Sequence, residues 1–434
     1  MNVSEDYKQD EKIEVKFVTK LDQYRVIDKS FQVPTSLNRR GLSQLINHLL
    51  GTETPIPFDF LVGNHLLRSS LKKFIQQHQC STEQVLTLEY VKLLDPPTPE
   101  SIKTHSDWIS SIDDHLLTLQ NTLSKKNLAG YVIPYGSYDC YVNLLHYNGN
   151  SDENSAPMAV GRHSQPVLSV SSFPIRDNDG QQFGIVSGSQ DCSVYVWNVN
   201  LADQRSRTTQ ELVGHQGAVE AVSCSPDANL VATASWDNTI KLWNLQSKES
   251  KKTVQAQARN SLVGHMQCVS TLFWLSNGEI ISGSWDHSIK IWDVESGINT
   301  HQLTGNKVIL NMDYSFKNKL LIAGHADRSI RIWDIRSSDL TSHGNSVSTS
   351  YSSHTGWVNA VKWHPSHEYL AISGSYDSNI KIWDIRSTTP LYTLASQHQD
   401  KIFTLGWLDS CRFTSGGADN ALRMYSMPDT AISI

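Results

Sequence analysis

Two kinds of hydrophobic spacing run along this chain, and one gives way to the other near residue 95. In "KIEVKFVT" apolar and polar positions alternate, with Ile13, Val15 and Phe17 on one side. That alternation predicts a half-buried strand. A second strand is predicted around "YRVIDKSFQV". In "RGLSQLINHLLG" the spacing becomes helical, with Leu42, Leu45, Ile46 and Leu49 on one face and Gly51 as a stop signal. "FDFLVGNHLL" predicts strand, turn and strand about Gly63-Asn64, "SLKKFIQQHQ" a short helix, and "VLTLEYVKLL" a last strand. The order β-β-α-β-β-α-β over residues 12–95 predicts a small α+β domain.

Beyond it the apolar runs are short and they recur. The stretch "GSWDHSIKIWD", Gly283 to Asp293, has relatives beginning at Ser189, Ser235, His325 and Ser375. In each, an Asp is followed six residues later by Trp: Asp191/Trp197, Asp237/Trp243, Asp286/Trp292, Asp327/Trp333 and Asp377/Trp383. Two degenerate copies place Leu145 after Asp139 and Tyr425 after Asp419. Spacings of 41 to 52 residues between these aspartates mark an internal repeat, which takes precedence over any local motif. Most copies carry an upstream loop histidine: His105, His163, His215, His265, His354 and His398. The fifth copy has Gly305-Asn306 in that region instead. Between His and Asp lie two short β-type runs, and a third such as "SIKIWDV" follows the Asp. The alternation of Ile289 and Ile291 after a tight Asp turn predicts strands.

Composition removes several function classes. The chain has 434 residues, is 39% hydrophobic and 18% charged, and has a formal net charge of -6, so charge alone gives no ground for nucleic-acid binding. Cys80, Cys140, Cys192, Cys224, Cys268 and Cys411 form no C-x-x-C pair, which argues against a zinc or redox motif and fits free thiols in a reducing compartment. The polar N-terminus has no signal-peptide core, and no apolar run is long enough to cross a membrane. P-loop, H-E-x-x-H and G-x-S-x-G signatures are missing. Asp286 beside His287 resembles an acid–base pair, but a catalytic pair occurs once, whereas this Asp recurs in every copy. Three stretches between repeats, "HYNGNSDENSAPM", "QSKESKKTVQAQARN" and "SSDLTSHGNSVSTSYSS", are expected to be mobile surface loops. The second is mildly basic through Lys248, Lys251, Lys252 and Arg259, which fits a solvated loop, an RNA contact or a weak nuclear signal.

From about residue 98 to the end, these copies resemble WD40 repeats. The resemblance implies a mainly β fold, a seven-bladed β-propeller of four-stranded blades over residues 96–434. It also implies a buried hydrogen-bonded network in each blade, built from the turn aspartates (Asp139, Asp191, Asp237, Asp286, Asp327, Asp377, Asp419), loop histidines such as His215, His265 and His354, and indoles such as Trp243, Trp292 and Trp383. In the fourth blade a serine, Ser282 or Ser284, would join them. Because little chain remains after Tyr425, residues 98–104 are expected to supply the outer strand of the last blade and so remove an open edge. In this family the residues before the turn aspartates face the narrow channel mouth. Here they are Tyr138, Gln190, Trp236, Trp285, Ala326, Tyr376 and Ala418, with Trp108 and Trp357 nearby. The aromatic ones suggest a partner-binding surface; flat packing against neighbours is the alternative.

The order of elements in residues 12–95 resembles a ubiquitin-like β-grasp. That head joined to WD repeats resembles the Notchless-type ribosome-assembly factors. "RRGLSQLINHLLG", "PIPFDFLVGNHLLRSSL", "LTLEYVKLLDPP" and "DWISSID" are similar to the WD-repeat subunit family of the PeBoW complex. The resemblance implies a non-enzymatic role in maturation of 28S and 5.8S rRNA and assembly of the 60S subunit, in the nucleolus and nucleoplasm. It implies the block-of-proliferation protein, pescadillo and pre-60S particles as partners, the first through a contact between propellers. It also implies that the AAA ATPase midasin recognises the head domain through one acidic residue, which by local match is Glu83 in "QCSTEQVLTLEY". A carboxylate can fill a vacant position on an octahedral Mg²⁺, and that metal would be midasin's; the chain itself is expected to carry no cofactor or metal. The alternative at this site is a capping box of Ser81 and Gln84 with Glu83 merely exposed. A different class of function, substrate receptor of a cullin-type ubiquitin ligase, rests on "WDIR" at Trp333–Arg336 and Trp383–Arg386. A G-protein β-like role would call for an N-terminal heptad pattern, which is absent.

Overall fold

The computed structural model describes residues 11–52, 54–63, 65–79, 85–93, 95–113, 131–147, 157–175, 182–201, 203–245, 253–335 and 347–427. Two compact units emerge, one drawn chiefly from the chain up to Pro97 and one comprising Thr98–Asp384 and Thr388–Ser426.

The first unit is a five-stranded mixed sheet with two helices. Its elements are β1 (Lys12–Val18), β2 (Ser30–Pro34), α1 (Arg39–Leu50), β3 (Phe58–Val62), β4 (His65–Leu66), α2 (Leu71–His78) and β5 (Leu86–Lys92). The sheet order is β2-β1-β5-β3-β4, with β1 and β5 parallel in the centre. This is the ubiquitin-like β-grasp arrangement. Ile13, Val15 and Phe17 project from one side of β1 into a core with Leu42 and Ile46 of α1 and Leu71 and Phe74 of α2. α1 starts where Asn38 Oδ1 accepts from Gly41 N–H at 3.2 Å and stops at Gly51, whose φ of 65° suits glycine. Tyr90 carries its hydroxyl into this core, accepting from Val26 N–H at 3.0 Å and donating to Tyr24 O at 2.5 Å. The second strand is shorter than its apolar pattern: residues 22–29 carry a single 3-10 turn, Asp22–Tyr24, and lie outside the ladder.

In the second unit the described strands form seven antiparallel-built sheets. Their inner strands are Ile109–Ile112, Val167–Pro174, Val219–Cys224, Val269–Ser276, Ile309–Tyr314, Val358–Trp363 and Ile402–Trp407. Each touches the next in this order, and the seventh touches the first, so the sheets close into a ring about a channel. The last sheet runs Ile402–Trp407, Arg412–Gly417, Ala421–Ser426 and then β6 (Thr98–Thr104), which pairs antiparallel with Ala421–Ser426. Pro99 fits there because an outer strand can lack one N–H donor. Glu100 fixes the junction, with Arg412 Nε 3.3 Å from its Oε1 and Tyr147 Oη donating to its Oε2 at 2.9 Å.

Two expected loops differ from the sequence reading. Val254–Ala256, in the basic stretch, pairs parallel with the outer strand Arg205–Leu212 of the second sheet and makes it five-stranded. An open sheet edge offers backbone groups to any extended neighbour. Val347–Ser352, in the small polar stretch, is the outer strand of the fifth sheet and buries Tyr351. Ladder pairing uses the main chain, so a run of serines suffices. Residues 246–252, including Lys248, Lys251 and Lys252, and residues 337–346 lie outside the described residues.

Inside the blades one polar unit recurs. His265 sets Nδ1 2.8 Å from Asp286 Oδ2 and Nε2 2.8 Å from Ser282 Oγ, and Trp292 Nε1 donates to the same Ser282 Oγ at 2.8 Å. Ser284 does other work: its hydroxyl donates to Cys268 O and accepts from Asp286 N–H. Asp286 thus turns to His265, 21 residues upstream, whereas adjacent His287 occupies the left-handed turn position, φ 69°. The same unit joins His215, Asp237, Thr233 and Trp243, and also His354, Asp377, Ser373 and Trp383. In the second blade His163 bonds Ser193 and Ser187, with Asp191 3.6 Å away and Trp197 donating to Ser187. In the seventh, Tyr425 stands for Trp beside His398, Asp419 and Ser415. In the first, Leu145 supplies no donor, and His105 lies 3.5 Å from Asp139. The fifth blade departs furthest. Ala323 takes the Ser282 position, Asp327 pairs with Arg331 at 2.6 Å, and Trp333 Nε1 is buried without a partner.

These networks set two expectations. Ser282→Ala leaves two buried ring nitrogens, Nε2 of His265 and Nε1 of Trp292, without a partner and is expected to cost about 3 kcal/mol, whereas Ala323→Ser gives Trp333 Nε1 an acceptor and is expected to add about 1 kcal/mol. Chemical denaturation of both variants measures the pair, and a neutral or negative effect of Ala323→Ser contradicts this account. The second expectation concerns acid. Burial pushes His364 down to about 4 from an ordinary 6.5, and its Nδ1 accepts from Ser366 and His367 N–H while Nε2 donates to Ser410 O. Burial likewise holds His325 near 4. A base whose folded pKa lies below its unfolded one binds fewer protons when folded, so stability falls as pH drops from about 6.5 to about 4. Asp237, Asp286 and Asp377 behave differently: burial raises them, but hydrogen bonds led by the histidines outweigh it, leaving each well below the carboxylate range. Their contribution persists above about pH 4 and is lost only below it. Melting temperature against pH should therefore decline from pH 6.5, and His364→Asn, which keeps an acceptor but cannot titrate there, should flatten that decline.

Candidate functional site: an aromatic channel mouth

The Asp turns and the starts of the inner strands meet at one end of the ring. Tyr138 donates its backbone N–H to Trp108 O at 2.9 Å, Trp236 to Ala218 O at 2.9 Å, Trp285 to Cys268 O at 3.0 Å and Tyr376 to Trp357 O at 2.9 Å. Each turn residue is therefore locked to the residue just ahead of an inner strand. Gly217 and Gly356 allow this approach, since a Cβ on either would sit 2.8 Å or 2.6 Å from the backbone N of Asp237 or Asp377.

A third set of side chains comes from β-bulges. In every inner strand the register slips by one residue near its start, as between Val219 and Ala221 or Ile402 and Thr404. A bulge leaves one residue out of the ladder and re-aims it. Here the re-aimed residues are Ser110, Leu168, Glu220, Ser270, Leu310, Asn359 and Phe403, and all line a central cavity of about 1240 Å³.

The aromatic side chains form two groups. Trp108 lies 5.2 Å from Tyr138 and 5.7 Å from Phe403, ring centre to ring centre. Phe403 also meets Tyr376 edge-on at 5.7 Å, and Tyr376 stacks on Trp357 at 5.7 Å. Across the mouth Trp236 and Trp285 are 5.2 Å apart. Three of these remain well exposed: Trp108 at 39%, Trp236 at 49% and Trp357 at 48%. Tyr138, Trp285 and Tyr376 are half-buried. Flat packing and exposure thus coexist: the rings brace one another and still present indole faces to solvent. Glu220 accepts from Trp236 Nε1, and burial pushes its carboxyl up despite that bond. Burial drives Tyr376 up to about 12, so its phenol stays protonated.

Of the residues singled out in the sequence, Trp108, Tyr138, Trp236, Trp285, Trp357 and Tyr376 come together here, while Gln190, Ala326 and Ala418 fill the remaining turn positions. Phe403 and Glu220 were not anticipated. Their signal is the spacing of buried residues, Val219 to Val222 and Ile402 to Leu405, which is three where a regular strand gives two. Glu83, Ser81 and Gln84 lie outside the described residues, as does Arg336; Arg386 follows the strand Ile380–Asp384. Among the described residues no group of His, Cys, Asp and Glu could hold a metal ion, and no helix is long and apolar enough to cross a membrane.

Comparison with known proteins agrees with both units. The NLE (NUC135) domain family matches residues 13–75. The family described as WD domain, G-beta repeat matches residues 158–198, 206–244, 257–293, 297–334 and 344–384, the five copies with an Asp/Trp pair. The chain is 35% identical to a protein of Nematostella vectensis named ribosome biogenesis protein WDR12 homolog, covering 96% of this chain and 99% of the relative. Proteins of the same name from Chlamydomonas reinhardtii and Arabidopsis thaliana are 35% and 32% identical, covering 95% and 96% of this chain and 97% and 96% of the relatives. Likeness that runs end to end, through the head domain and the repeats alike, places this chain in the family of NLE-domain, WD-repeat ribosome biogenesis proteins.

Proposed function

We propose that the protein is a non-enzymatic scaffold of large-subunit assembly, the WD-repeat subunit of a PeBoW-type complex in the nucleolus and nucleoplasm. The observation that carries this reading is the end-to-end likeness to proteins named for ribosome biogenesis, with the NLE domain first and the repeats after it. In this role the propeller docks the block-of-proliferation protein's propeller, pescadillo joins the complex, and the assembly rides on pre-60S particles during maturation of 28S and 5.8S rRNA. The exposed indoles of Trp108, Trp236 and Trp357 suit protein docking, since aromatic anchors dominate the energetics of such contacts.

Release depends on the head domain. Glu83 offers its carboxylate to the Mg²⁺ of midasin, a hard oxygen ligand for a hard cation, and force generated by ATP hydrolysis then strips the scaffold from the particle. In the sequence the residue lies between α2 (Leu71–His78) and β5 (Leu86–Lys92).

Sucrose-gradient sedimentation of tagged protein tests both parts. Glu83→Ala should leave the melting temperature and the propeller's partners unchanged but should accumulate the protein on pre-60S fractions, several-fold over wild type. A Glu83→Ala protein that cycles normally excludes the midasin step. Wild-type protein that never sediments with pre-60S particles excludes the scaffold itself.

A further inference from the structure

The channel mouth holds a carboxyl group that its aromatic wall leaves largely without polar partners. Glu220 is the bulged residue of the strand Val219–Cys224 and lines the central cavity with Trp236, Trp285, Tyr376 and Phe403. Among the described residues its carboxylate accepts one hydrogen bond, from Trp236 Nε1, and takes part in no ion pair. A carboxylate has about four acceptor sites, so most of this one's capacity is unused.

That fact constrains what can cover the mouth. An apolar plug would strip water from Glu220 and return no hydrogen bond. A cation reverses the sign. The faces of indole and phenol rings attract positive charge, and this mouth already shows the preference: Lys401 Nζ stands 5.3 Å from the centre of the Tyr376 ring. Between the two cationic side chains, arginine fits better than lysine. Its planar fork can engage a carboxylate with two N–H groups while its faces stack on aromatic planes.

We propose that the channel mouth seats one arginine side chain from a partner protein, its guanidinium against the Glu220 carboxylate and its faces between the Trp236–Trp285 pair and the opposite aromatic group. The inference rests on the reading of the propeller as a docking module, and it names the chemistry of what docks.

Blocked tripeptides, alanine–X–alanine with X as arginine, citrulline or leucine, probe the full-length protein, and binding is followed by the indole N–H resonances of Trp236 and Trp285. The arginine peptide should shift these signals saturably. Citrulline, which keeps the shape and loses the charge, should bind at least about tenfold more weakly, equivalent to about 1.4 kcal/mol. Glu220→Gln keeps an acceptor for Trp236 Nε1 and the side-chain volume; it should leave the melting temperature unchanged and weaken the arginine peptide by about tenfold. Lys401→Ala removes a competing cation and should tighten binding about threefold, a gain that misfolding cannot produce. Equal binding of citrulline, preference for leucine, full affinity in Glu220→Gln, or no shift at millimolar arginine peptide each overturns the proposal. Preference for leucine would still leave the propeller a docking module. Association with pre-60S particles is read independently by sedimentation, so failure of the scaffold reading shows there and not here.

Discussion

Everything in the propeller hangs on a buried imidazole that is bonded on both of its nitrogens. His265 touches an aspartate on one side and a serine on the other, which ties a loop, a turn and the middle of a strand to one rigid ring. The indole of Trp292 reaches the same serine from the third strand. In a low-dielectric interior such polar contacts are strong when complete and expensive when broken. The aspartate also accepts from the backbone N–H groups of Met266 and Ser288. Neither loop nor turn is therefore free to drift, and the side chains they display at the channel mouth hold fixed positions. The fifth blade, with Ala323, Asn306 and an unpaired Trp333 indole, has replaced this lattice by one ion pair between Asp327 and Arg331. It is the least constrained part of the wall.

The candidate docking residues sit between these fixed points. The turns supply Tyr138, Trp236, Trp285 and Tyr376, the loops supply Trp108 and Trp357, and the bulges supply Glu220 and Phe403. Each source repeats around the ring, but the residues differ from blade to blade. A symmetric scaffold thus yields an asymmetric mouth, aromatic from the sixth blade round to the first, acidic and aromatic at the third and fourth.

The fold was legible in the sequence because its two periods are local. Alternation in "KIEVKFVT" and the helical face of Leu42, Leu45, Ile46 and Leu49 depend only on near neighbours, and the Asp/Trp spacing repeats often enough to exclude chance. The choice between Ser282 and Ser284 was not legible, since both point to the same side of one strand and only the register against Trp292 separates them. Phe403 and Glu220 escaped for another reason. Regular alternation puts buried residues two apart, whereas Val219 and Val222, three apart, are both buried; that irregularity is the bulge written in the sequence. Val254–Ala256 and Val347–Ser352 escaped because an outer strand is held by main-chain pairing, and composition carries little trace of that.

The junction of β6 with Ala421–Ser426 joins Glu100 to Arg412 across 312 positions of chain. Six blades can form as their residues emerge, but the seventh lacks its outer strand until the last segment arrives to meet one made at the start. Ring closure is therefore the terminal event of folding and the slowest contact to find by chance. The same strand is continuous with the chain leaving the head domain at Pro97. A pull delivered along that chain reaches the ring first through the hydrogen bonds of Thr98–Thr104. Under load the ring's lifetime is then governed by how fast one strand detaches, a rate, and much less by the equilibrium stability of the rest.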